Sequence, residues 1–250
     1  MNYTNKTVVV TGGAKGIGAA TAKSFYDAGA TVIILDIAHR RDISDERMIL
    51  LECDVSNEAA VKSAFENISK KFSSIDFLIN NAGIQRYGTV TETSAEEWDH
   101  VMNVNLKSFF LCSKYAIPLM LQQKGVIINV ASVQAFLSQQ KVAAYTTAKT
   151  AILGLTRSIA VDYAPQIRCV AVCPGTIDTP MLRDSLALSP DPDAVMQECI
   201  DMHLTKRIGT PNEVAELILY LCDDKASFIT GQAIRIDGGL GITIQGSKRE

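Results

Sequence analysis

No uninterrupted hydrophobic run of membrane-spanning length occurs among the 250 residues of this sequence. The longest apolar stretches, residues 31–35 and 125–128, have the length of β-strands, whereas a membrane helix needs about 20 residues. The first residues, MNYTNKTVVVTGG, also lack the apolar segment that a secretion signal requires. We therefore expect a cytoplasmic protein without a membrane-spanning or exported segment.

Concentrated positive charge is absent as well. The 24 lysines and arginines are balanced by 27 aspartates and glutamates, and basic runs are short pairs such as Arg40-Arg41 and Lys248-Arg249. Proteins that bind nucleic acids or anionic membranes usually carry a basic patch or stripe. We therefore expect neither a nucleic acid nor a membrane as the partner, and a small molecule as the substrate.

The cysteines show no metal or disulfide pattern. None of the six belongs to a CxxC motif, and they do not cluster with the three histidines. Most lie in apolar runs, where cysteine behaves as a small hydrophobic residue. We therefore expect reduced, buried thiols and no bound metal. The six residues are Cys53, Cys112, Cys169, Cys173, Cys199 and Cys222.

The sequence does contain a regular alternation of apolar runs and helix-length amphipathic stretches. Most of the runs are continuously apolar, which is typical of parallel strands buried on both faces. The predicted strands span residues 6–11, 30–36, 48–53, 75–80, 125–131, 167–173 and 232–237. The predicted helices span residues 17–28, 57–72, 94–121, 143–163 and 212–223. The pattern predicts an α/β fold in which residues 1–250 form a single Rossmann-type domain with a doubly wound parallel seven-stranded sheet.

Two segments depart from this alternation. Residues 37–47 are about as short as a parallel crossover can be, so their helix should have one or two turns at most. Residues 176–210 are rich in proline and aspartate and form a long insertion before the last helix. Long insertions at the carboxyl edge of a sheet usually cover a site. We expect this covering segment, residues 176–210, to close over the substrate.

A glycine-rich segment, TGGAKGIG at residues 11–18, lies between the first predicted strand and the first predicted helix. Its glycines permit a tight turn and a close approach of the backbone to a pyrophosphate, and the helix N-terminus adds N–H donors. The segment therefore predicts a dinucleotide-binding loop. The expected contact residues are Gly12, Lys15, Gly16, Ile17 and Gly18.

An acidic residue, Asp36, ends the second predicted strand, 18 residues after Gly18. A carboxylate about 20 residues after such a loop typically hydrogen-bonds the 2′-hydroxyl of the adenosine ribose. It would repel the 2′-phosphate of NADP, whereas Lys15 and Arg40-Arg41 would attract that group. Because the carboxylate would contact the 2′ position directly, we predict NAD as the cofactor.

Three further residues suggest proton transfer. Tyr145 and Lys149 are four residues apart in a predicted helix and share one face, while Ser132 follows a strand at the edge where doubly wound sheets bind ligands. A phenol with a pKa near ~10 is a poor base at neutral pH unless a nearby cation favours its ionised form. An isolated tyrosine–lysine pair is more often solvated surface, but together with Ser132 it predicts a catalytic site.

Taken together, these motifs resemble those of the short-chain dehydrogenase/reductase family, and the resemblance extends over essentially the whole chain. Besides the glycine loop, it rests on Asp54-Val55, Asn80-Asn81-Ala82-Gly83, Asn105, Ser132, the YTTAK segment at 145–149, Pro174-Gly175 and Asp237-Gly238-Gly239. The resemblance implies an enzyme that moves hydride between a nicotinamide and an alcohol or carbonyl carbon.

The same resemblance implies a role for each residue of the site. Tyr145 is expected to be the general acid/base and Ser132 to orient the substrate oxygen. Lys149 is expected to lower the pKa of the phenol and to bind the nicotinamide ribose, and Asn105 to hold a water in a proton relay. Further cofactor contacts are expected from Asp54, Val55, Asn81, Ala82, Gly83, Pro174, Gly175, Ile177 and Thr179. Members of the family commonly assemble through two long helices, so a homotetramer is expected.

Several stretches are more specifically similar to NAD-dependent aldose 1-dehydrogenases, particularly aldohexose dehydrogenases. These stretches are residues 80–88, 131–135, 162–168 and 173–182, together with GQAIRIDGGL near the end. They imply oxidation of the anomeric hydroxyl of an aldohexose or 6-deoxy sugar to the lactone. The expected substrate contacts are Gln85, Ser132, Gln134 and Tyr145. Gln85 replaces the acidic residue expected in such enzymes, which leaves the preferred sugar open.

Two other functions remain compatible with the sequence. The first is a ketone reductase or secondary-alcohol dehydrogenase of the same family, acting on a polyol, a hydroxysteroid or a 3-oxoacyl substrate, because a fold does not fix the substrate. The second is a redox-sensing dinucleotide-binding regulator without turnover. The intact set of Ser132, Tyr145 and Lys149 argues against the regulator.

Overall fold

The computed structural model describes residues 1–38 and 45–242, which fold around one parallel sheet. Its strands are β1 (Thr7–Thr11), β2 (Thr31–Asp36), β3 (Met48–Glu52), β4 (Phe77–Asn80), β5 (Gly125–Val130), β6 (Ile167–Pro174) and β7 (Ala233–Ile236). The seven strands lie in the order β3-β2-β1-β4-β5-β6-β7, and every pairing between them is parallel. The strand order reverses between β1 and β4, which is where open α/β sheets bind ligands.

Both faces of the sheet are buried, as the continuous apolar runs predict. Along β1, Val8 and Val10 join the hydrophobic core on one face, and Val9 joins the core on the other. In β2, Ile34 and Ile33 divide between the faces in the same way. Successive residues of a strand point to opposite faces, so only a two-sided core explains such runs. The prediction of a doubly wound, seven-stranded α/β fold is confirmed, and each predicted strand is found within two residues at either end.

The helices cover the two faces of this sheet. They are α1 (Gly16–Asp27), α2 (Glu58–Lys71), α3 (Ala95–Met102), α4 (Ser108–Met120), α5 (Ala143–Tyr163), α6 (Pro180–Leu186), α7 (Pro192–Met202) and α8 (Pro211–Cys222). In α5 the predicted and observed bounds coincide. Most of the predicted crossover at 37–47, including Arg40-Arg41, lies outside the described residues, as does the chain after Ile242.

The predicted continuous helix at 94–121 is interrupted. Residues Asn103–Lys107 form a π-helical turn between α3 and α4. Such turns accommodate one extra residue within a helix and are frequent at functional sites. Asn105, in this turn, is fully buried and grips the backbone of Ile84: its Oδ1 accepts from the Ile84 N–H at 2.7 Å, and its Nδ2 donates to the Ile84 carbonyl at 2.8 Å. This tertiary contact leaves no trace in the hydrophobic periodicity.

The covering segment also differs from the prediction, which placed no helix in it. Helices α6 and α7 both begin at a proline preceded by a capping residue. The Thr179 hydroxyl accepts from the Leu182 N–H, and the Asp191 carboxylate accepts from the Ala194 N–H. Proline at the first helical position after such a cap is a helix-start signal. The sequence prediction therefore missed both helices.

The two ends of the covering segment are hydrogen-bonded to each other. The Gly209 N–H donates to the Thr176 carbonyl at 2.9 Å, and the Asp178 N–H donates to the Gly209 carbonyl at 2.9 Å. Ile177 and Gly209 form a parallel bridge between these bonds. The segment thus leaves the sheet and returns to it at one stem.

All six cysteines lie in the described part of the chain and are free. Five are buried, but Cys199 is half-buried, which corrects the expectation for this residue. The reason is that α7, which carries it, buries none of its residues.

Among the residues that the structure describes, no helix has both the length and the hydrophobicity needed to cross a bilayer. The same residues contain no group of three or more His, Cys, Asp or Glu side chains arranged to hold a metal ion.

Candidate active site

The glycine loop joins β1 to α1 at the point where the strand order reverses. Gly12 and Gly16 have φ angles of +63° and +58°, a conformation that glycine adopts at no steric cost. Gly18 is required for another reason: a Cβ there would lie 2.2 Å from the carbonyl oxygen of Gly12. Lys15 precedes the helix and makes no side-chain cap, and the first turn contains no acidic residue. The N-terminus of α1 is therefore suited to a phosphate group.

The end of β4 is tied to this loop by Asn81. Its side-chain Nδ2 donates to the carbonyls of Thr11 and Gly12 at 3.0 and 3.1 Å. The Thr11 hydroxyl in turn accepts from the backbone N–H groups of Asn81 and Ala82. These bonds fix the segment from Asn81 to Gly83 beside the glycine loop, where the sequence predicted a wall of the cofactor cleft.

Asp36 lies against the same loop, at the end of β2. One carboxylate oxygen accepts from the Ala14 N–H and the other from the Ala38 N–H, both at 2.9 Å. A carboxylate has about four acceptor positions, so this arrangement orients the group and leaves capacity for a ribose hydroxyl. Asp54 and Val55 follow β3, the neighbouring strand, with Asp54 exposed and Val55 buried.

Ser132, Tyr145 and Lys149 are all buried and lie together near the carboxyl ends of β5 and β6. Ser132 and Tyr145 are hydrogen-bonded through their side chains. The ammonium of Lys149 lies 5.6 Å from the ring centre of Tyr145 and donates to the Val130 carbonyl at 2.9 Å. The structure thus brings the three predicted residues into one cluster.

Asn105 and Lys149 approach Gly83 from two directions. A Cβ on Gly83 would lie 3.3 Å from Asn105 Oδ1 and 3.7 Å from the Lys149 ammonium. The backbone at Gly83, after β4, therefore lies next to the cluster of Ser132, Tyr145 and Lys149. The oxygen and the nitrogen of the Asn105 side-chain amide both bond to the backbone of Ile84. Asn105 therefore also fixes the backbone that leads to Gln85.

Burial dominates the electrostatics of the cluster. It raises the pKa of Tyr145 to about 12, and the hydrogen bond with Ser132 opposes this shift. It also lowers the pKa of Lys149 to about 8, and the nearby Cys173 thiol opposes this. Removal from water disfavours the charged form of each group. The expectation that Lys149 lowers the pKa of the phenol stays a prediction.

The two glutamines predicted to contact the substrate, Gln85 and Gln134, differ in how far their side chains are already hydrogen-bonded. Gln85 is half-buried and lies between two anchors, the Asn105–Ile84 pairing and a bond from the Gly88 N–H to the Lys141 carbonyl at 2.7 Å. Gln134 is also half-buried, but its amide is already engaged: Nε2 donates to Gln139, and Oε1 accepts from Thr146. Gln85 is therefore better placed than Gln134 to bind a ligand.

Sequence reasoning missed Tyr87 and Ser185. Their hydroxyls are hydrogen-bonded to each other, so the loop after β4 is joined to α6 of the covering segment. Tyr87 also lies close enough to Tyr145 for its charge to raise the pKa of that phenol. No sequence pattern indicates this pairing, because the two residues are 98 positions apart.

The beginning of the covering segment lies against the glycine loop. Pro174 ends β6, the Gly175 N–H continues the ladder to the Ile236 carbonyl, and Ile177 is buried. Thr179 is the cap of α6, and a Cβ on Gly16 would lie 3.4 Å from its methyl group. The turn after β6 therefore lies next to the glycine loop.

A Rossmann-type sheet, a glycine loop at its switch point and a buried Ser–Tyr–Lys cluster define an oxidoreductase that uses a nicotinamide dinucleotide. A family model described as enoyl-(acyl carrier protein) reductase matches residues 12–241. The chain belongs to the short-chain dehydrogenase/reductase family. It is an enzyme that acts on CH–OH groups or the corresponding carbonyls.

Known relatives cover nearly the whole chain. Dehydrogenase/reductase SDR family member 6 of Aquarana catesbeiana is 40% identical over 242 residues, which are 94% of this chain and 96% of that protein. The ligand-free structure of Thermoplasma acidophilum aldohexose dehydrogenase is 42% identical with a TM-score of 0.94, and the match covers 99% of this chain and 98% of that one. The structure of levodione reductase is 31% identical with a TM-score of 0.92, covering 97% and 100%.

Proposed function

We propose that the protein is an NAD-dependent aldose dehydrogenase that oxidises the anomeric hydroxyl of an aldohexose or 6-deoxy sugar to the lactone. The observation that carries this proposal is the likeness to Thermoplasma acidophilum aldohexose dehydrogenase, at 42% identity and a TM-score of 0.94. The local stretches identified in the sequence, residues 80–88 and 173–182, flank the site in the fold.

In this reaction the Tyr145 oxygen takes the proton of the anomeric hydroxyl while the anomeric carbon loses a hydride. Ser132 holds the substrate oxygen beside the phenol. A bound nicotinamide would supply the hydride acceptor and, in its oxidised form, a positive charge that favours the phenolate. Lys149 donates one N–H to the Val130 carbonyl and binds the nicotinamide ribose with its other N–H groups. Asn105 supports the relay that passes the proton to solvent.

The described residues fit a dinucleotide along the carboxyl edge of the sheet. The pyrophosphate is held by the glycine loop and the start of α1, the adenosine ribose by Asp36, and the adenine by Asp54 and Val55. A side chain at Gly12 or Gly18 would fill the space that the backbone of this loop needs. The nicotinamide end is lined by Asn81, Ala82, Gly83, Pro174, Gly175, Ile177 and Thr179.

A sugar requires polar partners close to Tyr145. Each hydroxyl buried without a hydrogen bond costs about 1–3 kcal/mol, so a pyranose needs several side-chain donors and acceptors. Gln85 and Tyr87 supply such groups between two backbone anchors, and Ser185 adds a hydroxyl from the covering segment. Residues 176–210 thereby close the site over the sugar.

We expect purified protein to reduce NAD in the presence of free aldoses, with lactone or aldonate as the product. Gln85→Ala should raise the KM for the preferred aldose about tenfold, because one buried sugar hydroxyl loses its partner. The matched control is Gln122→Ala, at an exposed position beyond the end of α4. Initial rates of NADH formation with a panel of aldoses, polyols, ketones and steroids provide the measurement. Turnover of a ketone or steroid with none of any aldose would contradict the proposal.

That contrary outcome would favour the second candidate, a ketone reductase or secondary-alcohol dehydrogenase acting on a polyol, a hydroxysteroid or a 3-oxoacyl substrate. Two observations support it: the likeness to levodione reductase and the family model described as enoyl-(acyl carrier protein) reductase. A regulator without turnover is disfavoured by the buried cluster of Ser132, Tyr145 and Lys149.

We expect kcat/KM to be at least about tenfold higher with NAD than with NADP, because a 2′-phosphate would meet the oriented carboxylate of Asp36 and like charges in contact repel strongly. In Asp36→Asn the ratio of the two values should fall toward one. Asp27→Asn, at the exposed end of α1, removes the same charge away from the loop. Equal use of both cofactors by the wild type would show that Lys15 outweighs the carboxylate.

We also propose a homotetramer assembled through α4 and α5. Phe109, Leu111 and Ile152 are buried within their own chain, whereas the side chains of Phe110 and Val161 are 49% and 79% exposed. Exposed apolar side chains on neighbouring helices are typical of a subunit interface. Light scattering at micromolar concentration should give about four times the chain mass of 27.1 kDa. A monomer mass would reject this assembly.

A further inference from the structure

His203 is a buried, titratable residue that the mechanism above does not use. It follows α7 at the end of the covering segment, and only 2% of its surface is exposed. Both ring nitrogens are engaged: Nδ1 lies 2.6 Å from the Cys199 carbonyl oxygen, and Nε2 lies 3.2 Å from the backbone nitrogen of Thr176. The imidazole therefore joins α7 to the turn after β6.

These two partners determine where the ring carries its proton. A carbonyl oxygen can only accept, so Nδ1 must donate to Cys199. A backbone N–H can only donate, so Nε2 must be the unprotonated acceptor for Thr176. His203 is thus neutral, with its proton on Nδ1, and serves as acceptor for one specific backbone group.

The ring also fills the space between two glycines at the carboxyl edge of the sheet. A Cβ on Gly175 would lie 2.8 Å from His203 Nε2, and a Cβ on Gly238 would lie 3.2 Å from Cδ2. Gly175 follows β6 and Gly238 follows β7. The position of the imidazole is therefore set by two strand ends as well as by its hydrogen bonds.

Other residues of the covering segment hold Thr176 through both of its backbone polar groups. Its N–H donates to His203, and its carbonyl accepts from the Gly209 N–H at 2.9 Å. The bond to Gly209 closes the stem. The bond to His203 connects Thr176 to α7, because His203 also bonds to Cys199 in that helix. The backbone from Gly175 to Ile177 is thus coupled to the end of α7.

We propose that His203 is a positioning residue for hydride transfer, which fixes the backbone of residues 175–177 against the nicotinamide by accepting the Thr176 N–H. The inference rests on the proposed function only in placing the nicotinamide along this turn. It explains why a neutral imidazole is buried at this point: a single side chain satisfies the Thr176 N–H and the Cys199 carbonyl at once.

Two substitutions separate the two hydrogen bonds. In His203→Gln the side-chain oxygen reaches the position of Nε2 and can still accept from Thr176. In His203→Asn the amide reaches only the position of Nδ1, so the bond to Cys199 can be kept while that to Thr176 is lost. Asparagine also leaves a larger cavity than glutamine. Thermal unfolding measures that packing loss, and hydrogen exchange at Thr176 measures the loss of the acceptor.

The test combines NADH binding, measured by fluorescence titration, with thermal unfolding and hydrogen exchange of the peptide containing Thr176. We expect His203→Gln to bind NADH within about threefold of the wild type, and His203→Asn to bind it about tenfold more weakly, because a buried N–H is left without an acceptor. Exchange at Thr176 should be faster in His203→Asn than in His203→Gln. If the wild type prefers NADPH, that nucleotide replaces NADH as the probe.

Wild-type affinity in both variants, or equal weakening in both, would overturn the proposal, as would a wild-type Thr176 amide that exchanges as fast as exposed backbone. The last measurement needs no variant and decides the matter even if His203→Asn does not fold. Absence of aldose oxidation by the wild type would refute the sugar proposal alone, because NADH binding does not depend on the substrate.

Discussion

Replacing Tyr145 with phenylalanine is expected to lower kcat by about 10²–10⁴-fold, the usual contribution of a positioned acid/base group. The substitution removes one hydroxyl from a side chain that is only 8% exposed, so the shape of the site is retained. The Ser132 hydroxyl loses one partner but still accepts from the Gln134 N–H, and Lys149 keeps its bond to the Val130 carbonyl. NADH affinity should therefore change by less than about threefold. Steady-state rates and fluorescence titration measure the two effects separately.

Tyr163→Phe is the matched control for this experiment, since Tyr163 is the last residue of the same helix and lies outside the cluster. It should leave both kcat and NADH affinity unchanged. A Tyr145→Phe enzyme that keeps kcat within about threefold of the wild type would refute the assignment of the acid/base. Weakened NADH binding in step with kcat would instead show that the hydroxyl supports the cofactor.

Gly18→Ala is expected to weaken NADH binding by about 5–150-fold. The added Cβ would lie 2.2 Å from the Gly12 carbonyl oxygen and 2.5 Å from Asn81 Nδ2, so the loop or the end of β4 must move. Overpacking of this kind typically costs about 1–3 kcal/mol. In a chain of this size the same cost lowers Tm by about 2–12 °C. Titration with NADH and thermal unfolding measure the two effects.

Gly154→Ala provides the comparison, because a Cβ at this position in α5 meets nothing within 4 Å. Alanine is favoured over glycine inside a helix by about 1 kcal/mol, so this variant should be as stable as the wild type or slightly more so. Wild-type NADH affinity in Gly18→Ala would mean that the loop is not the pyrophosphate site.

The sequence was sufficient to predict the sheet, because strands buried on both faces need apolar residues at every position. Val8, Val9 and Val10 make the point: a strand with one exposed face would alternate apolar and polar residues, and both faces of β1 are in fact covered. The two helices of the covering segment were also within reach of sequence reasoning. Thr179-Pro180 and Asp191-Pro192 are helix-start signals that the sequence prediction did not use.

Other features depend on contacts between distant segments. The π-helical turn at Asn103–Lys107 accompanies the grip of Asn105 on Ile84, which local periodicity does not report. The pKa of Tyr145 is governed by burial, and a sequence gives the neighbouring charges but not the degree of desolvation. The pairing of Gln134 with Gln139 and Thr146 is likewise visible only in three dimensions.

The stem of the covering segment has a consequence for how enzymes of this architecture diversify. Thr176 and Gly209 meet through hydrogen bonds, so the intervening chain can be exchanged as a cassette without shifting any strand. Loop-closure entropy grows slowly, by about 0.6 kcal/mol for each doubling of length, so grafts of unequal size are tolerated. A transplanted cassette would alter the substrate, provided that it keeps residues such as Thr179 that contact the glycine loop. The incoming segment must also provide an acceptor for the Thr176 N–H, which is His203 in this protein.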